Sequence, residues 1–184
     1  MRMKLFSAAL LATLAFAPFT HAQEPQHHDD AAPMPMHKPV PASHSLNVIY
    51  QGRVTNLTVE DLLALPQHTL HVHNAHRNTD ESYSGPLLID VLAKAGMTVT
   101  PETETLIKHS ALVATGTDKY YVVYAAIEAA PSFSKGQIIV AVMKAGLPDE
   151  EGGLIQLIND SDKKPARWVH GLANLTVMSL QQNP

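Results

Sequence analysis

The sequence contains no cysteine. Disulfides are therefore excluded as a source of stability, and so are a thiolate nucleophile and a thiolate metal ligand. Positive charge is also in short supply, with 13 Lys and Arg against 17 Asp and Glu. That balance argues against nucleic-acid binding, which depends on clustered cations. Beyond the first 22 residues no apolar run approaches the roughly 18 residues that a membrane-spanning helix needs. Ser82, Ser84 and Ser110 are not set in a Gly-x-Ser-x-Gly elbow, and no Gly-rich phosphate loop occurs. Glu128 and the Asp149-Glu150-Glu151 run read as solvated loop charges and not as a paired-carboxylate centre.

The N-terminus has the charged, apolar and small-residue order of a secretory signal: Arg2 and Lys4, a run from Leu5 to Phe19, then Thr20-His21-Ala22. Cleavage is expected near Ala22, which places the mature chain in the periplasm or outside the cell. Removing residues 1–22 leaves 162 residues, enough for one domain with a proper core. Arg2 and Lys4 leave with the signal, so the net charge moves from −4 to −6. Residues 23–44 carry Pro25, Pro33, Pro35, Pro39 and Pro41 with almost no apolar periodicity, and are expected to be a disordered linker. The folded domain is expected at 45–181.

Within it, Ser45 to Tyr50 alternates as a strand does and Gly52 ends it. Thr58 with Asp61 three residues on predicts a capped short helix, with Val59, Leu62, Leu63 and Leu65 as its apolar face and Pro66 as its stop. His68 to His73 alternates again, with Leu70 and Val72 on one face and Thr69, His71 and His73 on the other. A polar loop is expected over 74–82. Gly85-Pro86 then opens the clearest helix, Pro86 fitting its first turn, Leu87, Leu88, Val91, Leu92 and Ala95 forming its stripe and Gly96 ending it. Strands are expected at 105–115, 120–124, 137–142, 154–158 and 168–180, with a short helix or turn over 125–130. Helices early and strands late define an α+β class with a mixed sheet.

Three groups of residues could carry chemistry. His71, His73 and His76 form a His-x-His-x-x-His cluster in which strand geometry puts two imidazoles on one face and a loop returns the third. With Asp80 or Glu81 such a set suits zinc, copper or nickel; the plainer reading is the solvated side of a half-buried strand. The linker combines His27-His28-Asp29-Asp30 with Met34-Pro35-Met36-His37, a mixture of imidazole, carboxylate and thioether, the last favouring reduced copper. Lys163, Lys164 and Arg167 beside Trp168 make the one dense cationic patch of the domain. Those donors suit a phosphate, and Trp168 or Tyr83 could stack on a flat ring; alternatively the patch is a solvated turn with Trp168 in the core. His170 reads as a satisfied strand residue.

The chain from about Leu46 resembles the molybdopterin-binding domain of the sulfite oxidase type. The resemblance rests on an ordered series: Gly52 followed by the segment Leu57 to Pro66; Tyr83-Ser84-Gly85-Pro86-Leu87-Leu88 with Leu92 and Ala95-Gly96; Asp118-Lys119-Tyr120 before a strand. It continues with Ile139-Val140-Ala141 leading to Lys144-Ala145-Gly146-Leu147-Pro148, with Gly152-Gly153-Leu154-Ile155-Gln156-Leu157-Ile158, and with Arg167-Trp168. The resemblance implies the sulfite oxidase fold, a molybdopterin cofactor, and cofactor contacts from His76, Arg77, Lys163, Lys164, Arg167 and Trp168. It also implies a molybdenum-ligating cysteine in the loop after the strand that matches Thr69 to His73. That loop reads Asn74-Ala75-His76-Arg77 here, without sulfur.

Three readings follow. In the first, the chain is an exported, non-catalytic domain of this fold that binds a small-molecule ligand or a periplasmic protein partner in the altered cleft, with no catalytic residue. In the second it is a periplasmic copper- or zinc-binding protein using His71, His73 and His76. In the third it is a molybdopterin-dependent oxidoreductase whose metal is held by the pterin dithiolene without a protein thiolate.

Overall fold

The structure, a computed structural model, describes residues 40–75 and 77–180. The expected signal peptide, the linker up to residue 39 and His76 lie outside the described residues.

Strand β1, Ser45–Tyr50, follows its alternation, with Leu46, Val48 and Tyr50 turned into the core. Gln51 and Gly52 both take positive φ, 50° and 75°, the tight reversal that matches the twist of a two-stranded ribbon. It returns the chain as β2, Arg53–Thr58, a strand that the sequence pattern did not announce. Only Leu57 of β2 is buried and β2 lies at a sheet edge, so little apolar periodicity was required of it. Thr58 then caps α1, Val59–Leu63, in a reciprocal pair: its Oγ1 accepts from Asp61 N, and Asp61 Oδ2 accepts from Thr58 N.

β3, His68–Asn74, is followed by β4, Thr79–Gly85. Residues 79–82 of the stretch expected as loop therefore belong to the second arm of a hairpin. Its composition is polar because one face meets water and pairs across the ribbon, Thr69 opposite Ser84, His71 opposite Ser82 and His73 opposite Asp80. Gly85 ends β4 where a side chain has no room: a Cβ there would sit 2.0 Å from the Val140 carbonyl oxygen.

Helix α2, Leu88–Lys94, begins after Leu87 as N-cap, so Pro86 stands outside the first turn in which it was expected. Leu88, Val91 and Leu92 are its buried stripe and Gly96, at φ 87°, closes it. The first half of the run expected as a strand at 105–115 is instead α3, Glu104–Lys108, where Ile107 is the one buried position and Glu104 pairs with Lys108 one turn on. β5, Ser110–Gly116, and β6, Tyr121–Ala125, follow, then a 3₁₀ turn at Ala126–Ala129. The remaining strands are β7, Ile138–Ala141; β8, Met143–Lys144; β9, Gln156–Asn159; and β10, Leu172–Ser179.

Five strands form one sheet in the order β2-β1-β10-β5-β6, in which β1 and β10 run parallel and the other pairs antiparallel. β3, β4 and β8 make a second sheet, and β7 pairs with β9. The fold is α+β, with sheets and few short helices. The main core joins the inner face of the large sheet, through Leu46, Val48, Leu112, Leu175 and Val177, to Leu62, Leu88, Leu92 and Val140. A second cluster of Leu70, Val72, Tyr83, Ile139, Ile158 and Trp168 backs the β3–β4 hairpin. The last residues of the expected linker are tied to the domain: Ser43 N donates to the Gly153 carbonyl and Thr117 Oγ1 to the Pro41 carbonyl. Among the described residues no helix is long and apolar enough to cross a membrane.

Candidate functional site

The polar residues that the fold gathers lie on the inward face of the β3–β4 hairpin. In β4, Glu81 and Tyr83 stand two residues apart and share the side turned toward Leu70 and Val72. The Glu81 side chain is only 7% exposed. A carboxylate so far removed from water requires donors, and it has them. Asn74 Nδ2 and the Tyr83 hydroxyl both donate to Oε2, at 2.9 and 2.8 Å, and Lys144 Nζ donates to Oε1 at 2.8 Å. Burial raises the affinity of Glu81 for a proton, but the bonds from Lys144, Asn74 and Tyr83 outweigh it and hold the carboxyl below its ordinary value. Tyr83 moves the opposite way: burial first, then the carboxylate beside it, keep its hydroxyl protonated far above the usual range. Lys144 also lies over the Tyr83 ring, 5.3 Å from its centroid.

Arg77, exposed on the turn after β3, sits 4.0 Å from both Glu81 and Glu151. The loop that carries Glu151 brings a second buried chain of bonds. Asp149 accepts from Gly152 N and from Gln156 Nε2, and Gln156 Oε1 lies 2.7 Å from His170 Nδ1. Gln156 is buried. Burial lowers the His170 pKa, Asp149 opposing it and Arg77 and Lys144 reinforcing it. Asn74, Arg77, Glu81, Tyr83 and Lys144 thus make one polar group and Asp149, Gln156 and His170 another, coupled through charge.

The histidines expected to converge are partly accounted for. His71 and His73 do share the exposed face of β3, and His73 Nδ1 is 2.8 Å from Asp80 Oδ1. Glu81, the alternative carboxylate, belongs to the opposite face. His76 lies outside the described residues, and among the described residues no group of three or more His, Asp or Glu is arranged to hold a metal ion. The cationic patch is divided. Lys163 and Lys164 are exposed. Arg167 is committed to Asp162 through Nε and Nη2, lies 3.6 Å from Glu128, and stacks 4.5 Å from the Tyr124 ring. Trp168 is buried, its Nε1 donating to the Asn159 carbonyl at 3.0 Å.

Composition pointed to the hairpin and missed the cluster behind it. Glu81 and Tyr83 were visible as residues, but their pairing with Lys144 depends on β8 joining β4, Tyr83 opposite Lys144. No spacing in the sequence encodes that contact. Asp149, Gln156 and His170 are equally scattered, and the one local signal was the alternation that puts Glu81 and Tyr83 on one face.

The architecture is that of an α+β domain with a polar network behind a β-hairpin. Among solved structures it resembles the sulfane dehydrogenase SoxCD from Paracoccus pantotrophus, with a TM-score of 0.57 and 16% identity over 75% of this chain. The chain spans 38% of that protein's chain. Likeness at this identity establishes a distant relationship of fold. No protein-family model and no curated protein sequence matches.

The side chains present do not fit a molybdenum centre of the sulfite oxidase type. Ala75, Arg77 and Asn78 of the turn after β3 bring no soft donor. Arg77 faces two carboxylates, Arg167 is neutralised by Asp162, and Trp168 is enclosed in the core.

Proposed function

We propose that this chain is an exported, non-catalytic domain of the sulfite oxidase-like fold that binds a small polar ligand in the cleft between Glu81 and His170. The observation that supports it is the Glu81 network. Glu81 is a carboxylate fixed by Asn74, Tyr83 and Lys144, and the loop after β3, where the resemblance implies a molybdenum-ligating cysteine, has no sulfur. Such a fixed set of donors and acceptors recognises a ligand without oxidising or reducing it. Export follows from the signal-like N-terminus, and Gln23 is the expected first residue of the mature protein. Protein recovered from the periplasm should carry neither molybdenum nor pterin. Finding both in stoichiometric amounts would overturn the reading in favour of the oxidoreductase.

A second reading, copper or zinc binding on the outer face, draws support from one contact. A carboxylate on one ring nitrogen orients a metal-binding imidazole, and Asp80 stands in that relation to His73. Equilibrium dialysis decides it: if His71→Ala with His73→Ala leaves copper and zinc uptake unchanged, the hairpin is not a metal site.

A further inference from the structure

His170 is held by a relay whose chemistry permits a single arrangement of protons. Asp149 Oδ2 lies 3.0 Å from Gln156 Nε2, and a carboxylate can only accept, so the amide nitrogen faces it. The amide oxygen is thereby turned to His170, 2.7 Å from Nδ1. That oxygen can only accept, so Nδ1 carries the hydrogen. The second ring nitrogen, Nε2, is left with its lone pair. It has no partner among the described residues. Nor is it sealed from water, since the buried side-chain nitrogen or oxygen left without a partner among them is Asn159 Nδ2.

The charges around this nitrogen favour one kind of guest. Asp149 and Glu81 act on it as carboxylates and Arg77 and Lys144 as cations, and Arg77 lies 4.0 Å from both Glu81 and Glu151. Lys144 is spent on Glu81. Asp149, half-buried, makes no salt bridge among the described residues; its donors are the neutral Gly152 N and Gln156 amide. Burial keeps the imidazole of His170 uncharged. An acceptor nitrogen beside Asp149, the one of its two carboxylate neighbours without an ion pair among the described residues, suits a cation that carries N–H groups.

Resting on the ligand-cleft reading above, we propose that His170 Nε2 is the hydrogen-bond acceptor for a ligand of the amine or amidinium class. Gln156 is then a positioning residue, acting through the ring and not on the ligand.

The test uses the mature chain uniformly labelled with ¹⁵N, with benzamidinium as probe and benzoate, of the same shape and opposite charge, as control. Long-range ¹H–¹⁵N spectra should show His170 protonated at Nδ1 and bare at Nε2. Benzamidinium should shift the Nε2 resonance in a saturable way, and benzoate should not. Gln156→Leu, checked for an intact fold by circular dichroism, should mix the two ring forms and weaken benzamidinium at least several-fold. A ring protonated at Nε2 in the unliganded protein would overturn the proposal. So would a response at Arg77 and Lys144 to benzoate with none at His170 to benzamidinium, an outcome that leaves the cleft standing as a site for anions. Silence of every cleft residue to both probes would overturn the His170 assignment and count against the cleft itself.

Discussion

Tyr83 and Trp168 meet edge to face, their ring centroids 5.8 Å apart and their planes at 73°. The contact joins the hairpin to the segment before β10, and each ring has a polar tip with its own partner, Glu81 for the hydroxyl and the Asn159 carbonyl for the indole. Trp168→Phe keeps an aromatic edge against Tyr83 and removes the indole N–H. The Asn159 carbonyl then loses a donor inside the core, which costs about 1–3 kcal/mol. Urea unfolding followed by circular dichroism should show a lower midpoint with an unchanged slope.

Lys144→Met retains much of the aliphatic stem and deletes the charge facing Glu81. A hydrogen bond to a charged group contributes about 1.5–3 kcal/mol, and the loss should fall in that range at neutral pH. Adding Glu81→Gln should recover part of it, because the neutral amide does not demand a cation. A double-mutant cycle measures the coupling, and strictly additive losses would contradict the contact.

Acid should weaken the domain in two stages. His170 is held below its ordinary 6.5, so the unfolded chain takes up a proton first and stability declines as pH falls from about 6.5 toward the lower folded value. Glu81 is held below its ordinary 4.5, so its contribution is complete above that pH and is lost as pH falls through the folded value. Thermal midpoints across this span should bend twice, and His170→Gln should remove the upper bend alone.

Gly85→Ala should be severely destabilising although alanine is the smallest change available. The added carbon would sit 2.0 Å from the Val140 oxygen and 2.7 Å from Ala141 Cα, both backbone atoms that cannot swing aside. Gly52→Ala is the contrasting case. It has open space, so its cost comes from the positive φ of 75° alone and should be the smaller of the two.

The parts of this fold that announced themselves in the sequence are those with local causes. Thr58 and Asp61 cap a helix three residues apart, Gly96 ends another, and the alternation of β1 and β3 needs no distant partner. β2 and β4 were hidden because a strand at an edge, or with one wet face, keeps too few apolar residues to show a period. The start of α3 was mistaken because its single buried residue, Ile107, fits a strand as well as a helix. The candidate site was hidden for a related reason. Glu81 draws its donors from Asn74 and Tyr83 nearby, but from Lys144 across 63 positions, and His170 is oriented by a glutamine 14 positions away. The exposed histidines were legible as a pattern, whereas the Glu81 network is complete only once β8 has joined β4.

The parallel pairing of β1 with β10 sets the order of events during synthesis. Asn47 reaches Asn174 across 127 positions, and β10 also separates β1 from β5. The large sheet therefore has its middle strand made last. Contacts so distant along the chain form slowly, and until the final strand is released the first two strands and the β5–β6 pair have no common neighbour. A chain built this way remains open while it is being made, and its C-terminal strand is the clasp that closes it.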